Sequence, residues 1–172
     1  LTISRIVIVP LLAWAFFLPD PFNAIVVTLL FALASISDFL DGYLARKWQV
    51  ESEFGRMMDP IADKLLVLVA ITMLIYFRQA HLIPALLILV REIFISGIRE
   101  YLAANGRSLP VSPLGKWKTT IQMAAVFFLL LSFNSVTLMD INTLGNVLLW
   151  FAAGITWLSA YEYMKTIWRV AK

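Results

Sequence analysis

Asp38-Phe39-Leu40-Asp41-Gly42-Tyr43-Leu44-Ala45-Arg46, followed after eight residues by Gly55-Arg56-Met57-Met58-Asp59-Pro60-Ile61-Ala62-Asp63, sets four aspartates into an otherwise apolar run of chain. As a pattern the stretch reads D-x2-D-G-x2-A-R-x8-G-x3-D-x3-D. On helices, the Asp38/Asp41 and Asp59/Asp63 spacings each put both carboxylates on one face, so four can converge from two segments. Unpaired in a low dielectric they would repel strongly, and ionisable residues within a membrane are read as functional by default. Two divalent cations would cancel the four charges.

The surroundings make the membrane the natural solvent. Of 172 residues, 61% are hydrophobic and 15% charged, with a mean hydropathy of +0.85. Soluble domains carry about 25% charged residues. The net charge of +3 and pI near 9.3 fit positive residues gathered on one side of membrane spans better than nucleic-acid binding. The absence of cysteine removes disulfides, thiolate chemistry and Cys-ligated metal. Carboxylates remain as metal ligands, and they select hard ions such as Mg²⁺ or Mn²⁺. The chain opens at Leu1 without Met, which implies residues upstream, and its first apolar stretch reads as a span rather than a cleaved secretory signal.

Six stretches approach the roughly 20 residues needed to cross the hydrocarbon core. They are Leu1 to Leu18, Phe22 to Arg46, Gly55 to Phe77, Leu82 to Ala104, Pro113 to Phe133 and Asn142 to Trp168. Pro19-Asp20-Pro21, Arg78 to His81 and Asn105 to Pro110 mark breaks between them. The expected fold is all-α: a polytopic bundle of six transmembrane helices forming a single domain over residues 1–172. Threaded this way, thirteen of the fourteen Lys and Arg residues fall on one side and only Arg78 on the other. The positive-inside rule makes the rich side cytoplasmic, which puts the aspartates at the inner membrane boundary.

With spacing intact at every specified position, the Asp38 to Asp63 pattern resembles the defining motif of the CDP-alcohol phosphatidyltransferase family. Its members transfer a phosphatidyl group from a CDP-linked lipid to an alcohol, releasing CMP with the help of divalent metals. The resemblance implies that Asp38, Asp41 and Asp59 hold metal and that Asp63 is the general base while also touching the metal site. The alternative for these aspartates is helix-end pairing with Arg46, Arg56 and Lys64. Gly42, Ala45 and Gly55 would let the CDP moiety approach the backbone, although each alone also suits helix–helix contact. Arg46 has two readings, a partner for the diphosphate and an anchor at the inner boundary.

A second informative region runs Arg91-Glu92-Ile-Phe-Ile-Ser-Gly97-Ile-Arg99-Glu100, then Gly115-Lys116-Trp-Lys118-Thr-Thr-Ile-Gln122. Arg91 lies about 20 Å along its helix from Asn105, too deep for a surface charge. Arg91, Arg99, Lys116 and Lys118 together suit the phosphate of an anionic acceptor. The plainer reading is snorkelling, with Arg91 or Arg99 paired to Glu92 or Glu100. These blocks, with Leu1-Thr2-Ile-Ser-Arg5 and Pro10, look like the bacterial phosphatidylglycerophosphate synthase branch of the family. That branch implies CDP-diacylglycerol and sn-glycerol 3-phosphate as substrates, two divalent cations, a homodimer, and an inner-membrane protein whose site faces the cytoplasm.

Other acceptors remain open, among them inositol phosphate, serine and phosphatidylglycerol. Intramembrane prenyltransferases also use Asp-rich motifs on diphosphates but resemble longer bundles. A cation carrier would need polar groups through the outer half of the membrane, whereas here they concentrate toward the inner half. His81 reads as a surface residue, and Trp48, Trp117, Tyr161, Tyr163 and Trp168 as an interfacial belt.

Overall fold

The computed structural model describes the backbone of residues 2–48, 53–106, 113–133 and 138–170; the side chains of 2–6, 38–60, 62–63, 113–116 and 166–170 lie outside that description. All regular structure among the described residues is helical. The helices are α1 (Thr2–Ala15), α2 (Phe22–Trp48), α3 (Glu53–Tyr76), α4 (Leu82–Ala104), α5 (Pro113–Leu131) and α6 (Met139–Val170). They coincide with the six apolar stretches to within a few residues at each end.

The ends have local causes. Arg78 takes a left-handed φ of 58° after α3, and the N–H groups of Gln79 and Ala80 both return to the Leu74 carbonyl at 2.8 and 3.2 Å, closing the orphaned last turn. Gly106, with φ of 70°, follows α4, where a side chain would be disfavoured. Pro113 opens α5 at the position where a missing N–H costs nothing.

Aromatic contacts fix the chain directions. Phe16 beyond α1, Phe77 beyond α3 and Phe133 beyond α5 meet with ring centroids 5.0 to 5.9 Å apart, two of the three pairs edge-on. The outgoing ends of α1, α3 and α5 therefore share one end of the bundle. The start of α6 lies there too, because Asn146 accepts the His81 N–H at 2.8 Å and donates to the Gln79 carbonyl at 3.0 Å. Asn142 adds bonds to Gln79 and Ser132. His81 is exposed, and its Nδ1 accepts from Trp150.

The core runs down the bundle through Leu12, Phe31, Leu66, Ile71, Leu74, Ile88, Leu129 and Leu149. α5 and α6 pack closely against each other. A Cβ on Gly145 would stand 2.8 Å from Leu129 Cγ and 3.1 Å from its backbone nitrogen, so only glycine fits there without a shift.

The outside is as apolar as the inside. Phe22, Ile25, Leu29, Leu33 and Ile36 recur every three or four residues on one exposed face of α2, and Leu82, Ile83, Leu86, Val90, Ile93 and Phe94 are exposed along α4. Among the described residues, Met139–Lys165 is long and apolar enough to cross a membrane, while Phe22–Ser37, Lys64–Tyr76 and Trp117–Leu131 are shorter apolar stretches. Tyr163 departs from the expected belt: it is buried against Ile95 and Ala160. Trp117 and Tyr161 are exposed as expected.

Candidate functional site

Asp38, Asp41, Gly42, Ala45 and Arg46 lie in α2, and Gly55, Asp59 and Asp63 in α3. Both carboxylate spacings therefore fall on helix, and α2 packs against α3. At 1.5 Å per residue, Asp38 stands about 24 Å beyond the start of α2 and Asp63 about 20 Å before the end of α3. Since Phe22 and Tyr76 sit at the aromatic end, the motif occupies the helix halves toward the opposite end. The side chains of these eight residues lie outside the described residues. As a donor set, four carboxylates and no sulfur suit a hard divalent ion, and their backbone placement on two packed helices is compatible with that fit.

The basic region is described in atomic detail. Arg91, 3% exposed, sits mid-way along α4. Its Nη1 donates to Glu92 Oε1 at 3.0 Å and its Nη2 to Ser159 Oγ, across on α6, at 3.1 Å. Among the described residues the Nε–H has no partner, and neither has Thr156 Oγ1, one turn before Ser159. Oε1 of Glu92 also accepts Lys118 Nζ from α5, so one carboxylate oxygen serves two cations. Lys64 of α3 donates to Ser96 Oγ of α4. Arg91 and Lys64 both lie close enough for their charges to act on Lys118.

Among the described residues, no Cα of α4 comes within 8 Å of a Cα of α5. The Lys118–Glu92 contact therefore links two helices whose described Cα atoms stay more than 8 Å apart. Among the described residues two cations, Arg91 and Lys118, meet on one carboxylate, an arrangement that can hold an anion.

Of the four residues expected to receive an acceptor phosphate, Arg91 and Lys118 are thus brought together through Glu92. Arg99, two turns on, is exposed. Lys116 is in the first turn of α5, its side chain outside the described residues. Sequence reasoning gave no role to Ser96, Thr156 or Ser159. A lone hydroxyl in an apolar helix was the signal, but such residues commonly bond their own preceding turn, as Thr28, Ser35 and Thr72 do here.

The family model for CDP-alcohol phosphatidyltransferases matches residues 1–158. The chain belongs to that family. Being a CDP-alcohol phosphatidyltransferase, it is a transferase, and the matched stretch contains both the aspartate motif and the Arg91–Glu92–Lys118 cluster. A protein of Rickettsia bellii named CDP-diacylglycerol–glycerol-3-phosphate 3-phosphatidyltransferase is 45% identical over 165 residues, covering 96% of this chain and 91% of its own. One of the same name from Haemophilus influenzae is 40% identical, covering 96% and 89%. A rice protein named cardiolipin synthase (CMP-forming) is 38% identical, covering 99% of this chain and 56% of its own. The family expected from the motif is the family found.

Proposed function

We propose that this chain transfers the phosphatidyl group of CDP-diacylglycerol to sn-glycerol 3-phosphate, giving phosphatidylglycerophosphate and CMP. The observation that carries the reading is the joint presence of the intact aspartate motif and a buried cationic cluster in a chain 40–45% identical to transferases named for this reaction. We take the 172 residues as one domain.

In this reading Asp63 accepts the proton of the acceptor hydroxyl. That oxygen forms a bond to the lipid-side phosphorus as the phosphorus–oxygen bond to CMP breaks. Asp38, Asp41 and Asp59, with Asp63, would hold two divalent cations, Mg²⁺ or Mn²⁺, which when bound neutralise the diphosphate and the charge growing on the leaving CMP. Gly42, Ala45 and Gly55 leave room for the CDP moiety, and Arg46 pairs with its diphosphate. Arg91, Lys118, Lys116 and Arg99 supply the positive field for the acceptor's phosphate. An ordinary carboxylate is a weak base, so positioning of the hydroxyl carries much of the rate.

The six helices are read as six membrane spans, supported by the exposed apolar faces of α2 and α4. Among the described residues irregular backbone is then confined to the helix ends, where water or headgroups can satisfy it. The Lys and Arg bias places the motif end on the cytoplasmic side of the inner membrane. A homodimer is the expected assembly. The rice relative favours a second reading in which CMP chemistry is retained with phosphatidylglycerol as acceptor. CMP release from CDP-diacylglycerol across a panel of acceptors separates the two: sn-glycerol 3-phosphate is expected to be used, and preference for phosphatidylglycerol would select the second.

A further inference from the structure

We propose that Glu92 is a positioning residue for the acceptor's phosphate, acting through Lys118; this rests on the acceptor assignment made above. Glu92 Oε1 takes Lys118 Nζ from α5 and Arg91 Nη1 from its own helix. A carboxylate repels a phosphate, so Glu92 does not bind the acceptor directly. What it does is hold a flexible lysine between α4 and α5, whose Cα atoms stay more than 8 Å apart among the described residues, and screen Lys118 from Arg91. Among the described residues two cations, Arg91 and Lys118, meet on the single carboxylate of Glu92, which leaves positive charge to face an anionic phosphate. Arg91 keeps a buried Nε–H without a partner among the described residues, a further donor on the same cluster. Ser159 anchors the other end of the guanidinium, so the array is braced on α4, α5 and α6.

The test uses the purified full chain with CDP-diacylglycerol in mixed micelles and Mg²⁺ or Mn²⁺, reading CMP release while each substrate is varied. Glu92→Gln is expected to raise the KM for sn-glycerol 3-phosphate by about tenfold or more, the scale of a misplaced charge-assisted hydrogen bond, with the KM for CDP-diacylglycerol unchanged. Glu92→Asp, which keeps the charge on a shorter stem, should lie between the two. In a Lys118→Ala background, Glu92→Gln should add less than about twofold, because the two residues act as one unit. Equal changes in both KM values, a fall in kcat alone, or full additivity with Lys118→Ala overturns the role of Glu92. If Glu92→Gln does not fold, an unchanged acceptor KM in Glu92→Asp overturns it. Wild-type protein that turns over other acceptors but not sn-glycerol 3-phosphate overturns the acceptor assignment and this inference with it.

Discussion

Arg91 of α4 reaches across the bundle to Ser159 of α6, its Nη2 donating to the hydroxyl at 3.1 Å where both residues are buried. Arg91 is thereby held from two sides, by a neutral acceptor on α6 and by Glu92 on its own helix. Ser159→Ala would take from Nη2 its hydroxyl acceptor, leaving a second guanidinium nitrogen beside Nε without a hydrogen bond among the described residues. We expect a loss of about 1–3 kcal/mol of stability, read as a lower unfolding temperature in detergent. Unchanged thermal stability would mean that the bond contributes nothing net.

The opposite end of the bundle should behave differently. Asn146, 4% exposed, serves the His81 N–H, the Gln79 carbonyl and Asn142 at once. Asn146→Ala strands these groups and should cost about 1–3 kcal/mol, while the KM values for both substrates stay at the wild-type level, because the knot lies at the end away from the motif. A selective change in acceptor KM would contradict this division of labour.

Gly145 tests the packing of α5 on α6. Gly145→Leu pushes side-chain atoms into Leu129 and its backbone, where even a Cβ would stand within 2.8 Å. Overpacking of this kind costs about 1–3 kcal/mol, and lower yield of folded protein with a depressed unfolding temperature is the expected readout.

Metal removal tests the donor assignment. Chelation should abolish CMP release, and added Mg²⁺ or Mn²⁺ should restore it, since four carboxylates gathered as proposed could not take a diphosphate without counter-charge. Full activity in excess chelator would rule out the proposed metal site.

What the sequence revealed follows from which forces are local. Six apolar runs bounded by Pro, Gly and polar breaks set the helices, because each run is long enough to dominate its neighbours; even the stop at Arg78 was marked by its polar surroundings. The aspartate motif was legible because its spacing is a helix repeat. The partnership of Glu92 with Lys118 was not, since 26 residues separate them and only helix rotation decides which charges meet. Ser96 and Ser159 were silent for the same reason. Tyr163 was misplaced because an aromatic near a span end reads alike whether it faces headgroups or, as here, packs on Ile95.

The most direct test of the whole account is CMP release from CDP-diacylglycerol by wild-type and Asp63→Asn protein, with sn-glycerol 3-phosphate and Mg²⁺ or Mn²⁺ present. Wild type should release CMP in proportion to phosphatidylglycerophosphate formed, and Asp63→Asn should lose turnover by about 10²-fold or more while retaining metal-dependent binding of CDP-lipid. Absence of CMP release by wild type with any alcohol acceptor, or full activity in Asp63→Asn, would contradict it.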